Sequence, residues 1–181
     1  RRGRAHLAFT AHSIPLAMAR ASRYEAQLAE AARLVAEGVG VDAWAVVYQS
    51  RSGPPQVPWL EPDGCDHLRE LAGRGVEDVV VYPLGFVSDH MEIVYDLDIE
   101  ARAAAEEAGL NLVRAPTVGT HPAFVSAIRE LVQERLDPEA PRRAIGRHGP
   151  AHDVCRAGCC LPGNGRPSPW SDAAPAGAAR A

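Results

Sequence analysis

The sequence predicts an α/β fold, a parallel sheet of about four strands with flanking helices, followed by a disordered Pro/Ala/Gly-rich tail. Three observations predict it. Short apolar runs rich in β-branched residues alternate with longer segments of helix formers, the pattern of βαβ units joined by right-handed crossovers. Glycines close the helical segments, at Gly38, Gly40 and Gly109. Seven of the 15 prolines lie between Pro138 and Pro175, where helical periodicity is gone. The expected organisation is one α/β domain over residues 1–137 and a flexible tail over 138–181.

In order, Ala5–Thr10 is a short apolar strand running into Ala11-His12-Ser13-Ile14-Pro15, and Pro15 suits the opening of a helix. A helix is expected from Leu16 to about Glu37, with Leu28, Ala32 and Val35 on its apolar side. Ala43–Tyr48 is the second strand. It leads into QSRSGPPQVPWLEPDG, a loop with four prolines and long enough to suggest a functional role. Asp66 to Arg74 is a short helix and Val79–Tyr82 the third strand. A long helix runs from about Ser88 to Ala108, Leu110–Arg114 is the fourth strand, and after PTVGTHP a last helix spans Ala123 to about Leu136. Ligands of parallel sheets bind beyond the carboxyl ends of the strands. His12, Gln49-Ser50-Arg51, Ser88–Glu92 and Thr117–His121 all follow strands, so four loops converge on one rim.

The stretch VVVYPLGFVSDHMEIVYDLDIE (Val79–Glu100) holds most of the chemistry. His90 and Glu92 lie where strand passes to helix, and Glu92, Asp96 and Glu100 recur every four residues. Like charges four apart repel by roughly 0.2–0.5 kcal/mol per pair, a mild defect unless a cation offsets it. The helix dipole accounts for Glu92 and Asp96 near an N-terminus, but Glu100 lies about two turns further on. A spacing of four drifts by roughly 40° per step on a regular α-helix, and a wider π-type turn would bring the three into line. A metal-guiding row and a solvated acidic face are both consistent with this spacing.

Composition narrows the classes. The 181 residues are 46% hydrophobic with a formal charge of −4, enough for one core. No apolar run suits a membrane span and the start has no signal-peptide pattern, so a soluble cytoplasmic protein is expected. All 19 basic residues are arginine and are dispersed among acids, which excludes a nucleic-acid stripe. The chain opens on Arg1 with a strand close behind, as if cut at its N-terminus.

His12 alone reads more readily as a hydrogen-bonded structural residue than as a ligand; with His90 and Glu92 expected on the neighbouring rim, it can bind a borderline metal or take a proton. Pro55, Val57, Pro58, Trp59 and Leu60 form a stiff apolar segment, either a loop anchored by its Trp or one wall of a cleft for a flat ligand. No glycine-rich phosphate loop follows the first strand, which argues against a nucleotide enzyme.

At these residues the sequence resembles the ferrochelatases, enzymes that insert ferrous iron into a porphyrin. The resemblance rests on FTAHSIP (Phe9–Pro15), YQSRSGPPQVPWLEP (Tyr48–Pro62), PLGFVSDHMEIVYDLDIE (Pro83–Glu100) and PTVGTHPAF, covering about Leu7 to Leu136. It implies a Rossmann-like chelatase half-domain, with His12 as the metal-site histidine, Glu92 as the carboxylate across the porphyrin plane, and His90 supporting Glu92. Glu92, Asp96 and Glu100 match an acidic row on a helix with a π-turn, proposed to conduct metal in or protons out. Gln49, Ser50 and Trp59 match residues lining the porphyrin cleft. Family members have two similar halves with porphyrin between them, and this sequence matches only the carboxyl-terminal one, so the chain alone is expected to be inactive. The substrate is coproporphyrin III on the actinobacterial pattern, protoporphyrin IX otherwise. Another tetrapyrrole chelatase and a non-catalytic porphyrin- or metal-binding module remain as alternatives. Association with other haem-pathway enzymes is a further expectation.

Cys65 reads as a structural thiol. Cys155, Cys159 and Cys160 form a cluster that suggests metal more than disulfides, one ligand short of a full set. The resemblance implies a [2Fe–2S] cluster completed by a cysteine of the other half.

Overall fold

The computed structural model describes residues 5–154. Its centre is β1 (His6–His12), whose alternating side chains bury both faces of a sheet. Ala8 points to one face, where it packs with Val47, Val79 and Val81. Leu7 and Phe9 point to the other and meet Ala32 and Ala36. Four parallel strands, with β2 (Trp44–Gln49), β3 (Asp78–Tyr82) and β4 (Asn111–Arg114), lie in the order β2-β1-β3-β4. The register pairs His12 with Gln49, Phe9 with Tyr82 and Val81 with Arg114. The carboxyl ends of β1 and β2 therefore finish side by side, carrying His12 and Gln49 as their last residues.

On one face α1 (Leu16–Arg20) and α2 (Tyr24–Val39) cover β1 and β2. The single helix expected over this stretch is broken at residues 21–23, where the Ala21 N–H is shared between the Ala17 and Met18 carbonyls and the Ser22 hydroxyl donates to the Ala19 carbonyl. Such local side-chain bonds compete with the helical ladder. The break lets Tyr24 donate from its hydroxyl to the His12 carbonyl at 2.8 Å.

The other face carries α3 (Gly64–Gly73), α4 (Met91–Ile93), a π-helix (Val94–Glu100) and α5 (Ala101–Glu107). Leu68, Leu71, Ile93, Leu97, Ala101 and Ala105 fill the space beneath them. α3 starts two residues before its expected position because Asp63 caps it, accepting from the Cys65 and Asp66 N–H groups. The long helix starts three residues later than expected. His90 is extended at φ −126°, and Ser88 and Asp89 stay outside the helix.

α6 (Pro122–Leu136) has no buried residue among those described, and Val125, Ile128, Leu131, Val132 and Leu136 stand exposed along it. The chain then returns without regular structure to α2, where the buried Glu30 carboxylate accepts from the Arg147 N–H at 2.7 Å and holds the Arg33 guanidinium. Arg33 keeps the Glu30 carboxyl well below the usual range, at about 2. At the amino-terminal end of the sheet an apolar groove of about 590 Å³ is lined by Leu7, Val39, Val41, Val80 and Val113.

Also at that end, His67 of α3 is buried and its Nε2 lies 3.2 Å from Nε2 of His6. One ring donates through Nε2 and the other accepts, so one proton lies between the two facing nitrogens. Burial lowers both pKa values, that of His6 to about 4, with His67 and Arg74 adding to the effect on His6. Protons therefore bind more readily to the unfolded chain. The stability the pair contributes is complete above about pH 6.5 and is lost as pH falls toward 4. We expect the midpoint of thermal unfolding to drop by several degrees between pH 7.5 and pH 5, and His67→Gln to flatten that dependence; an unchanged slope in the variant would assign the effect elsewhere.

Candidate active site

Strand geometry places the site. His12 ends β1, and its Nδ1 lies 2.5 Å from the Ser13 carbonyl oxygen. A carbonyl only accepts, so Nδ1 carries the proton and Nε2 presents its lone pair outward. That is how a histidine is held when its free nitrogen is to meet a metal. Nε2 faces Glu92 Oε1 at 3.5 Å, with the two side chains 36% and 46% exposed. A base and a carboxylate thus face each other at the carboxyl rim of the sheet, each open to solvent.

From Glu92 the acidic row turns across the carboxyl edge of the sheet. The expected π-turn is present over Val94–Glu100. Asp96 is half-buried and accepts from the Gln49 amide at 3.0 Å and from the Ser50 hydroxyl. Ser50 reaches it from the left-handed region, φ 61°, which a non-glycine residue adopts at some cost. Below the row, Thr10, Gln49, Ser50, Cys65, Asp96 and Glu100 line a cavity of about 50 Å³. Burial, with Asp63 next, pushes the Cys65 thiol up to about 11, so at neutral pH it is protonated and a poor metal ligand. Among the described residues no three His, Cys, Asp or Glu side chains converge as a metal cage.

The structure brings His12, Glu92, Gln49, Ser50 and Asp96 together, and sets Glu100, exposed, at the far end of the row. Gln49 and Ser50 spend their donors on Asp96. His90 packs its ring edge-to-face on Phe86, centroids 5.9 Å apart. Trp59 is half-buried and pairs in an antiparallel bridge with Pro15, which brings the loop over α1. Cys155, Cys159 and Cys160 lie outside the described residues.

Sequence reasoning missed Arg114. At the end of β4, only 10% exposed, its Nε and Nη2 fork onto Asp98 at 3.1 and 2.8 Å, and Nη1 donates to Asp89 at 3.0 Å. Asp98 and Asp89 raise the Arg114 pKa. No spacing signals such a pairing, because strand and helix are 16 residues apart.

A profile of the family described as Ferrochelatase matches residues 1–136. The chain belongs to the ferrochelatase family. A ferrochelatase of Rhodopirellula baltica is 52% identical over 159 residues, covering 87% of this chain and 45% of the relative. Coproporphyrin III ferrochelatases of Frankia alni and Nocardia farcinica are 54% and 51% identical, covering 87% and 90% of this chain and 43% and 49% of their own lengths. The chain thus spans about half the length of these curated ferrochelatases. A putative cobalamin biosynthesis CbiX protein of Marinobacter aquaeolei shares the fold at a TM-score of 0.55 and 22% identity, over 75% of this chain and 99% of that one.

The site loop gives a direct test of packing. A Cβ on Gly53 would come within 2.3 Å of Trp59 Nε1 and Cζ2, far inside contact distance. We expect Gly53→Ala to shift the Trp59 indole N–H resonance strongly and to destabilise the fold by about 1–3 kcal/mol; an unmoved resonance would mean that the loop does not hold Trp59 against Gly53.

Proposed function

We propose that this chain forms one wall of a ferrochelatase that inserts ferrous iron into coproporphyrin III in haem biosynthesis. The observation that supports it is His12, whose lone pair is directed out of the strand end and faces Glu92 at 3.5 Å, at the head of the acidic row. The substrate follows the names of the actinobacterial relatives.

The chemistry explains what such a site would supply. A flat porphyrin hides its nitrogen lone pairs and carries two N–H protons. Insertion requires bending the ring, removing both protons and stripping water from Fe²⁺. Binding energy from a stiff cleft is used to distort the ring, and the Pro-rich loop ending in Trp59 is one such wall. His12 meets the metal through Nε2. Glu92 takes protons as general base and passes them to Asp96 and Glu100. A metal in transit needs few protein donors, which agrees with the lack of a cage among the described residues.

Cytoplasmic location, contact with other haem-pathway enzymes and a [2Fe–2S] cluster on Cys155, Cys159 and Cys160 belong to the same proposal. Among the described residues no helix is long and apolar enough to cross a membrane.

The deciding experiment is anaerobic Fe²⁺ insertion into coproporphyrin III and protoporphyrin IX, followed by absorbance, with this chain alone and with the amino-terminal half of a relative added. Activity is expected only with the added half, faster on coproporphyrin III, and lost by ~100-fold or more in His12→Ala. Porphyrin binding with no insertion in either case would favour a binding module. Preference for cobalt would favour another chelatase. If His12→Ala kept its Fe²⁺ affinity while Glu92→Gln lost it, the two roles would be reversed.

A further inference from the structure

We propose that Arg114 is a positioning residue that holds the acidic row in its π-helical register and sets Glu92 opposite His12. The inference rests on the chelatase reading of that row. It starts from the way the π-helix lies across the sheet. Asp96 and Asp98 are two residues apart and leave the helix on opposite sides. Asp96 is held at the edge strand β2 through Gln49 and Ser50. Asp98 is held at the other edge strand, β4, through the fork of Arg114. The π-helix is therefore fastened at both edges of the sheet.

A π-turn makes poorer use of its backbone than an α-helix and is kept where its surroundings require it. Without the β4 fastening, Val94–Glu100 is free to rewind toward α-geometry. Each step from Glu92 to Asp96 to Glu100 would then drift by roughly 40°, and Glu100 would leave the line. The third bond of Arg114 acts at the other end of the row. Asp89 directly precedes the extended His90, so its bond to Nη1 fixes where the helix begins and hence where Glu92 stands. It also keeps Asp89 from sliding into the helix as a cap, which is why the helix opens at Met91.

Arg114 is nearly buried, and its guanidinium makes three charge-assisted bonds, two of them forked onto one carboxylate, an arrangement that fixes geometry. Neither Asp98 nor Asp89 faces the cleft partner His12, so the guanidinium acts only through the backbone it restrains. Lysine cannot replace it fully, because a single ammonium reaches one carboxylate well and lacks the planar fork.

The test is amide hydrogen exchange on this chain for Arg114→Gln, Arg114→Lys and Asp98→Asn. For Arg114→Gln, exchange across residues 91–100 is expected to rise ~10-fold or more, with α3 and β1 amides unchanged. Asp98→Asn should affect 94–100 and spare 91–93, and Arg114→Lys should restore most of 94–100. With the amino-terminal half added, Arg114→Gln should lower kcat ~10-fold or more with KM for porphyrin unchanged, and the Arg114→Gln, Asp98→Asn double variant should lose no more than the worse single one. Unchanged exchange over 91–100, or a rise of equal size in α3 and β1, would overturn the proposal. Failure of the unaltered chain to insert iron with the added half would instead count against the chelatase reading, and the exchange result would stand by itself.

Discussion

The carboxylate of Asp96 is where the sheet and the helix laid across its edge are joined. A half-buried carboxylate must be met by donors, since an unpaired charge in low dielectric is costly. Gln49 and Ser50 supply them from the end of β2, and Ser50 does so from a backbone conformation that only such a partner justifies. Once Asp96 is fixed there, the helix passes over the strand ends with Leu97 turned down into the core. Glu92, one turn earlier, then falls beside His12. The geometry around His12 and Glu92 thus descends in part from the bonds that Gln49 and Ser50 make to Asp96.

Much of this was legible in the chain. Four-residue spacing of acids raised a π-type turn as the geometry that would align them, the family resemblance implied one, and the turn is there. The parallel direction of the strands followed from alternation of apolar runs with helical ones, whereas their order, β2-β1-β3-β4, did not. What the sequence did not disclose depends on meetings between distant residues. The break at residues 21–23 reflects a hydroxyl that prefers the Ala19 carbonyl, and the late start of the helix reflects an arginine on β4 that binds Asp89. The His6 and His67 pair is likewise a product of the fold, joining a strand to a helix 61 residues away. Gln49 and Ser50 were singled out as cleft residues; their hydrogen bonds to Asp96 gave them a further part that motif matching does not reveal.

The shared fold with a CbiX protein at 22% identity shows how little of the function lives in the sheet itself. The same four strands and crossovers would serve other chemistry with other rim residues. In the ferrochelatase reading, specificity comes from a lone pair, a carboxylate and a stiff aromatic loop placed by strand ends. His12 and Glu92 stand partly in water. A flat ligand closing over them would exclude that water and strengthen their mutual field.

α6 has consequences for the cell as well as for the fold. Val125, Ile128 and Val132 recur at helical spacing, with Leu131 and Leu136 beside them, and all are exposed. A ribosome releasing such a helix before a cover is in place offers chaperones and proteases an apolar stripe to bind. Stripes of this kind are where quality control reads a fold, so they bear on abundance as well as on stability.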